Sequence, residues 1–357
     1  MFKPFEGAPR LDASVVICAY TEARWDDLRG AVASVQQQSV LPREIIVVID
    51  HNSALLQRAR TELPGVVVLE NQEARGLSGA RNTGVRAAQG SLVAFLDDDA
   101  IADPRWLPLL AAACAQEDVL GCGGIVEPAW QTGKPSWFPD EFTWVVGCSY
   151  LGLPVTRSPV RNLIGASMCI RREVFDAVGG FRSEIGRIGK HPVGCEETEL
   201  CLRAQRHWPT RTFLHEPASS IRHLVPGSRA TWRYFRERCF YEGRSKALVT
   251  QLAGATNGLA SERSYTFSTL PRGVARNIMH GFAHRNRDEI IRAAAIVAGL
   301  AITTSGYITG VLSQAPSRYR AWMRQHALAH LRPDFPTSGQ LPIVTAAVHR
   351  EEGDLQG

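Results

Sequence analysis

The sequence predicts an α/β protein, with a mixed but mostly parallel sheet carrying helices on both faces and a mainly helical C-terminal appendage. Three observations predict it. The first hundred residues alternate short β-branched apolar runs with amphipathic stretches, the pattern of βαβ units. Those runs are apolar throughout, as strands covered on both faces are. The length of 357 residues exceeds one typical domain, and 45% hydrophobic against 21% charged residues is enough for a substantial core.

Ser14 to Ala19 (SVVICA) reads as the first strand, after which Trp25, Leu28, Val32 and Val35 recur at helical spacing. Glu44 to Ile49 is the second strand and Ala54 to Leu63 the next helix. Val66 to Leu69 is the third strand, Gly79 to Ala88 a helix, and Ser91 to Leu96 the fourth strand. Val119 to His223 is less regular. It holds aromatic loops (Trp130, Trp137, Phe138, Phe142, Trp144), a helix over Arg172 to Val178, and GCEETELCLRA from Gly194 with a partial helical face. From Arg272 onward the chain reads as helices. The expected division is an N-terminal tail over 1–12, a catalytic domain over 13–225 and a basic helical region over 226–357.

Forty Lys and Arg against 35 Asp and Glu give a net charge of +5, too diffuse for a nucleic-acid footprint, and no nucleic-acid partner is expected. The excess is local. Arg203 to Lys246 holds ten cations against three acids, which reads as a surface facing phosphate and a membrane. Eight scattered cysteines form no Cys-x-x-Cys pair, which argues against zinc knuckles. The start lacks an apolar leader, so the expectation is a reducing cytoplasm, at the inner face of the membrane, with Cys18 and Cys169 as small core residues. Ala293 to Leu312 has twenty residues without a charge, and Gly306-x-x-x-Gly310 within it suits close helix packing. A buried helix, a membrane span and a peripheral attachment all stay open for it.

In parallel sheets ligands bind beyond the carboxyl ends of the strands. Tyr20, Thr21 and Glu22 follow the first strand; Asp50, His51 and Asn52 the second; Asp97, Asp98 and Asp99 the fourth. Helix capping accounts for Asn52 or Ser53 but not for three carboxylates in a row. Such a run is costly to bury, and a hard divalent cation, Mg²⁺ or Mn²⁺, resolves it. Extended alternation puts Asp97 and Asp99 on one side and Asp98 on the other. The competing reading is a solvated acidic turn. Glu196, Glu197 and Glu199 form a second acidic cluster, either an ordinary first helical turn or a carboxylate base in a cleft. The glycine-rich Gly76 to Gly84 is neither a dinucleotide fingerprint nor a Walker loop, and Gly186 to Lys190 fails as one too. The amides of the first segment, with Arg75 just before it and Arg81 within it, could meet phosphate or neighbouring acids. His223 opens HLVPGSR, whose Pro-Gly-Ser-Arg reads as a mobile loop able to close over a diphosphate with Arg229 as charge partner.

Taken together, VVICAYTEA (Val15 to Ala23), IIVVID (Ile45 to Asp50), GLSGARNTG, FLDDD (Phe95 to Asp99), DPRWL (Asp103 to Leu107), GGF (Gly179 to Phe181) and CEETEL (Cys195 to Leu200) resemble the family-2 inverting glycosyltransferases. The resemblance runs from about Ser14 to Lys246 and implies the Rossmann-like glycosyltransferase-A fold. It implies a nucleotide-sugar donor carrying a hexose, a divalent metal on Asp97 and Asp99 with His223, and a catalytic base in the Glu196–Glu197 pair. The family's usual Glu-Asp is Glu-Glu here, with Glu197 in the place of the Asp. Tyr20, Glu22 and Asp50 would hold base and ribose, and Arg81, Asp98 and Arg229 would lie at the diphosphate. The acceptor (lipid-linked, glycan or small molecule) is left open. Two rival readings are a nucleotidyltransferase, which needs no separate base at Glu197, and a non-catalytic nucleotide-sugar-binding protein.

Overall fold

The computed structural model describes residues 10–183, 194–253 and 264–329. Compactness divides the chain into Met1–Ser313, which holds the whole sheet, and Gln314–Gly357. Strand β1 (Leu11–Ala19) leads through a 3-10 turn (Glu22–Arg24) into α1 (Trp25–Gln36). β2 (Pro42–Ile49), α2 (Ser53–Glu62), β3 (Val67–Glu70), α3 (Leu77–Ala87) and β4 (Leu92–Asp97) complete the βαβ half. The strands pair in parallel in the order β3-β2-β1-β4. Alternate residues of the apolar runs serve opposite faces. Val15, Ile17 and Ala19 pack with Leu28, Val32 and Leu55 on one side, while Val16 packs with Ile46, Phe95 and Ala80 on the other.

The middle section, irregular by sequence, supplies the rest of the sheet. β5 (Ala100–Ala102), α4 (Trp106–Cys114), β6 (Val119–Trp130), β7 (Ser158–Val160), β8 (Ser167–Arg171), α5 (Arg172–Val178), α6 (Glu196–His207) and β9 (Thr212–Val225) follow. β8 enters antiparallel between β4 and β6, and β9 runs parallel to β6 and antiparallel to β5. His223 therefore lies in a strand, opposite Ala100, and the Pro-Gly-Ser-Arg that follows leaves the strand through a 3-10 turn over Gly227–Arg229. The reason is a pairing far apart in sequence: Leu224 N–H donates to the Asp99 carbonyl at 2.8 Å. Gly76 to Gly84 also has a packing reason. A Cβ at Gly84 would run into Val16 of β1, and one at Gly79 into the Ala74 carbonyl. Gly186 to Lys190 lies outside the described residues.

Helices α7 (Trp232–Ala253), α8 (Leu270–Ala283) and α9 (Arg287–Ala329) form the appendage. The Gly306-x-x-x-Gly310 stripe packs on α7: a Cβ at Gly306 would meet the Phe240 carbonyl, and one at Gly310 would lie 2.8 Å from Ala247 Cβ. Ala293, Ile296 and Gly299 continue this buried face. The opposite face exposes Ile291, Val297, Ile308 and Leu312, and α8 exposes Met279 and Phe282. Arg287–Ser313 is long and apolar enough to cross a membrane by length and composition.

Candidate active site

The parallel half of the sheet ends level. Ala19 pairs with Ile49 and Cys18 with Asp97, so the residues following β1, β2 and β4 converge on one edge. Two cavities meet there, sharing Arg24, Leu77 and Asp97 in their walls.

The first, of about 460 Å³, is lined by Tyr20, Asp50, His51, Arg75, Gly76 and Asp98, among others. Asp50 is fixed by its neighbours, accepting from Asn71 Nδ2 at 2.7 Å and the Gly76 amide at 2.9 Å. Tyr20 is 54% exposed at the mouth, with the Arg24 guanidinium 5.5 Å from its ring centre. Glu22 is exposed on the 3-10 turn and lines neither cavity.

Between the cavities stand the three aspartates, which part company as alternation predicts. Oxygen atoms of Asp97 and Asp99 and a ring nitrogen of His223 all lie within 4.8 Å of one another. His223 Nε2 is 3.1 Å from Asp99 Oδ1 and 3.8 Å from Asp97 Oδ2. Asp98 turns toward the first cavity, where Arg24 Nη1 donates to its Oδ1 at 2.8 Å while Oδ2 is buried with no partner among the described residues. Arg24 also sits 3.2 Å from Asp99 Oδ2, and Arg229 lies 3.9 Å from the same oxygen.

The electrostatics of the neighbours diverge accordingly. Burial opposes ionisation of Asp99, but His223, Arg24 and Arg229 outweigh it and hold the carboxyl well below the usual range. Burial and the charge of Asp99 instead push Asp98 up to about 7, against the pull of Arg24. Burial disfavours the imidazolium of His223, yet Asp99 overrides it and raises the group to about 10.

The second cavity, of about 260 Å³, holds Glu197 opposite these acids. Cys195 takes a left-handed φ of +78° before α6, a conformation costly for a non-glycine residue, and it starts the helix with Glu196 and Glu197 in its first turn. Glu196 is buried and accepts from Arg81 Nη1 at 2.9 Å. Arg81 itself is buried, donates to the Gly165 carbonyl at 3.0 Å and lies 3.6 Å from Asp97. Of the two partners open to it by sequence, it takes the acids. Glu199 pairs with Arg203 at 2.6 Å and with Arg182 at 3.0 Å. Glu197 is thus the member of the cluster left half-buried in the cavity wall. Desolvation, reinforced by the charge of Glu196, pushes its carboxyl up to about 8 despite Arg81.

Sequence reasoning did not single out Arg24, nor Arg238, Glu242 and Lys246 of α7, which line the second cavity beyond Glu197. Arg24 follows directly in the YTEAR segment, and its place at a strand's carboxyl end was the available signal.

The glycosyl transferase family 2 model matches residues 14–179. Over 246 residues the chain is 32% identical to a glucosyl-dolichyl phosphate glucuronosyltransferase of Haloferax volcanii, covering 68% of this chain and 78% of that one. The chain belongs to glycosyl transferase family 2. It is also 23% identical over 258 residues to the succinoglycan biosynthesis protein ExoM of Rhizobium meliloti, covering 70% and 78% of the two chains. Among solved structures, a mannosyltransferase of Pyrobaculum calidifontis, solved with GDP-mannose and Mn²⁺, overlays with a TM-score of 0.51 at 18% identity. The overlay covers 91% of this chain and 88% of that one. That likeness bears on the fold, which is of the glycosyltransferase-A kind. The chain is a glycosyltransferase, and the nucleotidyltransferase reading is set aside.

Proposed function

We propose that this chain moves a sugar, with inversion, from a nucleotide-sugar donor to a hydroxyl of a lipid-linked acceptor at a membrane surface. One observation carries the reading: a carboxylate–carboxylate–imidazole cluster stands between two cavities, with an independent carboxylate of raised pKa in the far one. The donor set of Asp97, Asp99 and His223 fits Mn²⁺ or Mg²⁺, since two hard oxygens and one imidazole leave room for diphosphate oxygens. The unpartnered, buried Asp98 Oδ2 is a further sign that the site awaits a polar ligand. When bound, such an ion neutralises charge on the departing nucleoside diphosphate.

The chain's own residues do the rest. Asp50 and Tyr20 line the nucleoside cavity, and Arg24 and Arg229 add positive charge beside the diphosphate. In the second cavity Glu197, once ionised, accepts the proton of the acceptor hydroxyl as that oxygen bonds to the anomeric carbon. The bond from that carbon to the phosphate oxygen breaks at the same time, and the diphosphate leaves with the electron pair. Arg81 is a positioning residue, holding Glu196 and lying beside Asp97. Attack from the side opposite the leaving group requires base and metal cluster on different walls, which matches two cavities that meet at Asp97.

The lipid-linked acceptor is supported by the Haloferax relative, whose name includes dolichyl phosphate, and by the outward apolar faces of α8 and α9. Residues 13–225 would form the catalytic domain and 226–357 a basic appendage resting on the cytoplasmic side of a membrane. A thermal-shift panel of UDP and GDP with Mn²⁺ or Mg²⁺ tests the donor half of this reading. Stabilisation that needs metal, and vanishes in Asp99→Asn, is expected. No shift with any nucleotide and metal refutes it.

A further inference from the structure

The second cavity carries a feature that the chemistry at Glu197 does not use. Along α7, Arg238, Glu242 and Lys246 follow one another at four-residue spacing and all line that cavity. Arg238 Nη1 donates to Glu242 Oε2 at 2.8 Å, and Lys246 Nζ lies 3.9 Å from Glu242 Oε1. Pairs of this spacing are common on helix surfaces and contribute little there. Here the side chains turn inward instead, with 16%, 13% and 25% of their area exposed for Arg238, Glu242 and Lys246. Two cations flank one carboxylate, and Arg161, from the segment leading to β8, adds a third cation to the lining.

The position of this wall matters as much as its charge. A Cβ at Gly194 would lie 3.2 Å from Arg238 Nη2, which seats the guanidinium against the backbone three residues before Glu197. Cys195 Sγ is 3.6 Å from Glu242 Oε1, tying the same wall to the start of α6. Trp144 forms the adjoining surface, with Arg238 and Lys246 6.0 and 5.9 Å from its ring centre. An indole beside a hydroxyl-activating carboxylate is a suitable platform for a sugar ring. None of these α7 residues lines the nucleoside cavity.

We propose that Arg161, Arg238 and Lys246 bind a phosphate group carried by the acceptor whose hydroxyl faces Glu197. Guanidinium and ammonium groups in a partly desolvated cavity favour phosphate strongly over a neutral headgroup. The shared chemistry is a phosphoester, and its source is either a lipid phosphate or a soluble sugar phosphate. The inference rests on the transferase reading above and deepens it by naming what the acceptor must carry.

The test is binding by the full chain, measured calorimetrically in the presence of UDP or GDP and Mn²⁺, with farnesyl phosphate, glucose 1-phosphate and farnesol as probes. Wild type should prefer a phosphate-bearing probe to farnesol by about tenfold or more, the worth of a hydrogen bond to a charged group. Lys246→Met and Arg161→Gln should each erase most of that preference, and Lys246→Arg should retain it. Affinity for the nucleoside diphosphate should stay unchanged in all three. Farnesyl phosphate bound more tightly than glucose 1-phosphate assigns the source to lipid, and the reverse order to a soluble sugar phosphate; both support the site. Equal binding of farnesyl phosphate and farnesol by wild type overturns it, as does an undiminished preference in both Lys246→Met and Arg161→Gln. Failure of the nucleoside diphosphate to bind wild type strikes instead at the transferase reading.

Discussion

Glu197→Gln separates the proposed base from everything that surrounds it. The Glu197 carboxyl stands at about 8 against an ordinary 4.5, first because it is desolvated and then because Glu196 is its neighbour. At pH 7 only about one molecule in ten carries the ionised base, and at pH 9 about nine in ten do. Activity should therefore rise tenfold per pH unit on the acid side and level off near 8, with the inflection moved downward by any divalent cation held on Asp97 and Asp99. The same gap has a thermodynamic face. A carboxyl whose pKa is higher folded than unfolded favours the folded chain less as pH climbs from 4.5 to about 8, and the full penalty applies above that. The ceiling is roughly 5 kcal/mol, and solvent reaching the cavity reduces it. The glutamine variant avoids this penalty, so it should melt higher than wild type at pH 9 and equally at pH 4. Its turnover should fall by about 10²–10⁴-fold, the usual contribution of a general base. The assay is kcat/KM for donor and acceptor across pH 6 to 9.5, beside melting curves at both ends. An acid limb that survives in Glu197→Gln, or near-normal turnover at pH 7, refutes the assignment.

Three further outcomes follow from the same geometry. His223, raised to about 10, is protonated below that value and must lose its proton to become a ligand, so Mn²⁺ affinity should climb with pH up to about 10. Titration calorimetry in two buffers of different ionisation enthalpy should find close to one proton released at pH 7.5; zero release would remove His223 from the ligand set. Arg24→Met should weaken nucleoside diphosphate binding and raise both Asp98 and Asp99, an effect read as a steeper loss of metal binding on acidification. Gly243→Val would drive a side chain into the Thr303 carbonyl and the Tyr307 amide, costing about 1–3 kcal/mol in melting experiments as overpacking does. An unchanged melting temperature there would contradict the α7–α9 contact.

The legible part of the chain was its parallel half, where apolar runs between turn residues left little choice. β6 and β9 were not legible for opposite reasons. Gly121, Gly123 and Gly124 weaken the β signal of β6 locally, yet a Cβ at Gly121 would lie 2.7 Å from the Cys169 carbonyl, so the sheet itself requires glycine there. β9 contains polar residues that only its pairing with β5 and β6 explains. The aspartates and glutamates of the site could be found because several carboxylates in a row violate ordinary burial rules. The cations that answer them could not. Arg24 lies 74 residues before Asp98, and Lys246 and Arg238 look like surface charge until α7 turns them inward.

Those cations also explain how the acidic edge folds at all. Three adjacent carboxylates with two of them buried would oppose folding if they were left alone. Arg24 bridges Asp98 and Asp99, His223 and Arg229 face Asp99, and Arg81 lies between Asp97 and Glu196. These partners offset much of the charge of the acidic edge before any ion is bound. An arriving cation must then compete with the His223 proton and with two arginines for Asp99. That competition lowers affinity for the bare ion, and a negatively charged diphosphate arriving with it relieves the repulsion from Arg24 and Arg229. Metal and donor should consequently bind with positive coupling, each raising the affinity for the other by the same factor. In physical terms, a site built from acids already balanced by arginines is one that prefers the metal–diphosphate pair to either member alone.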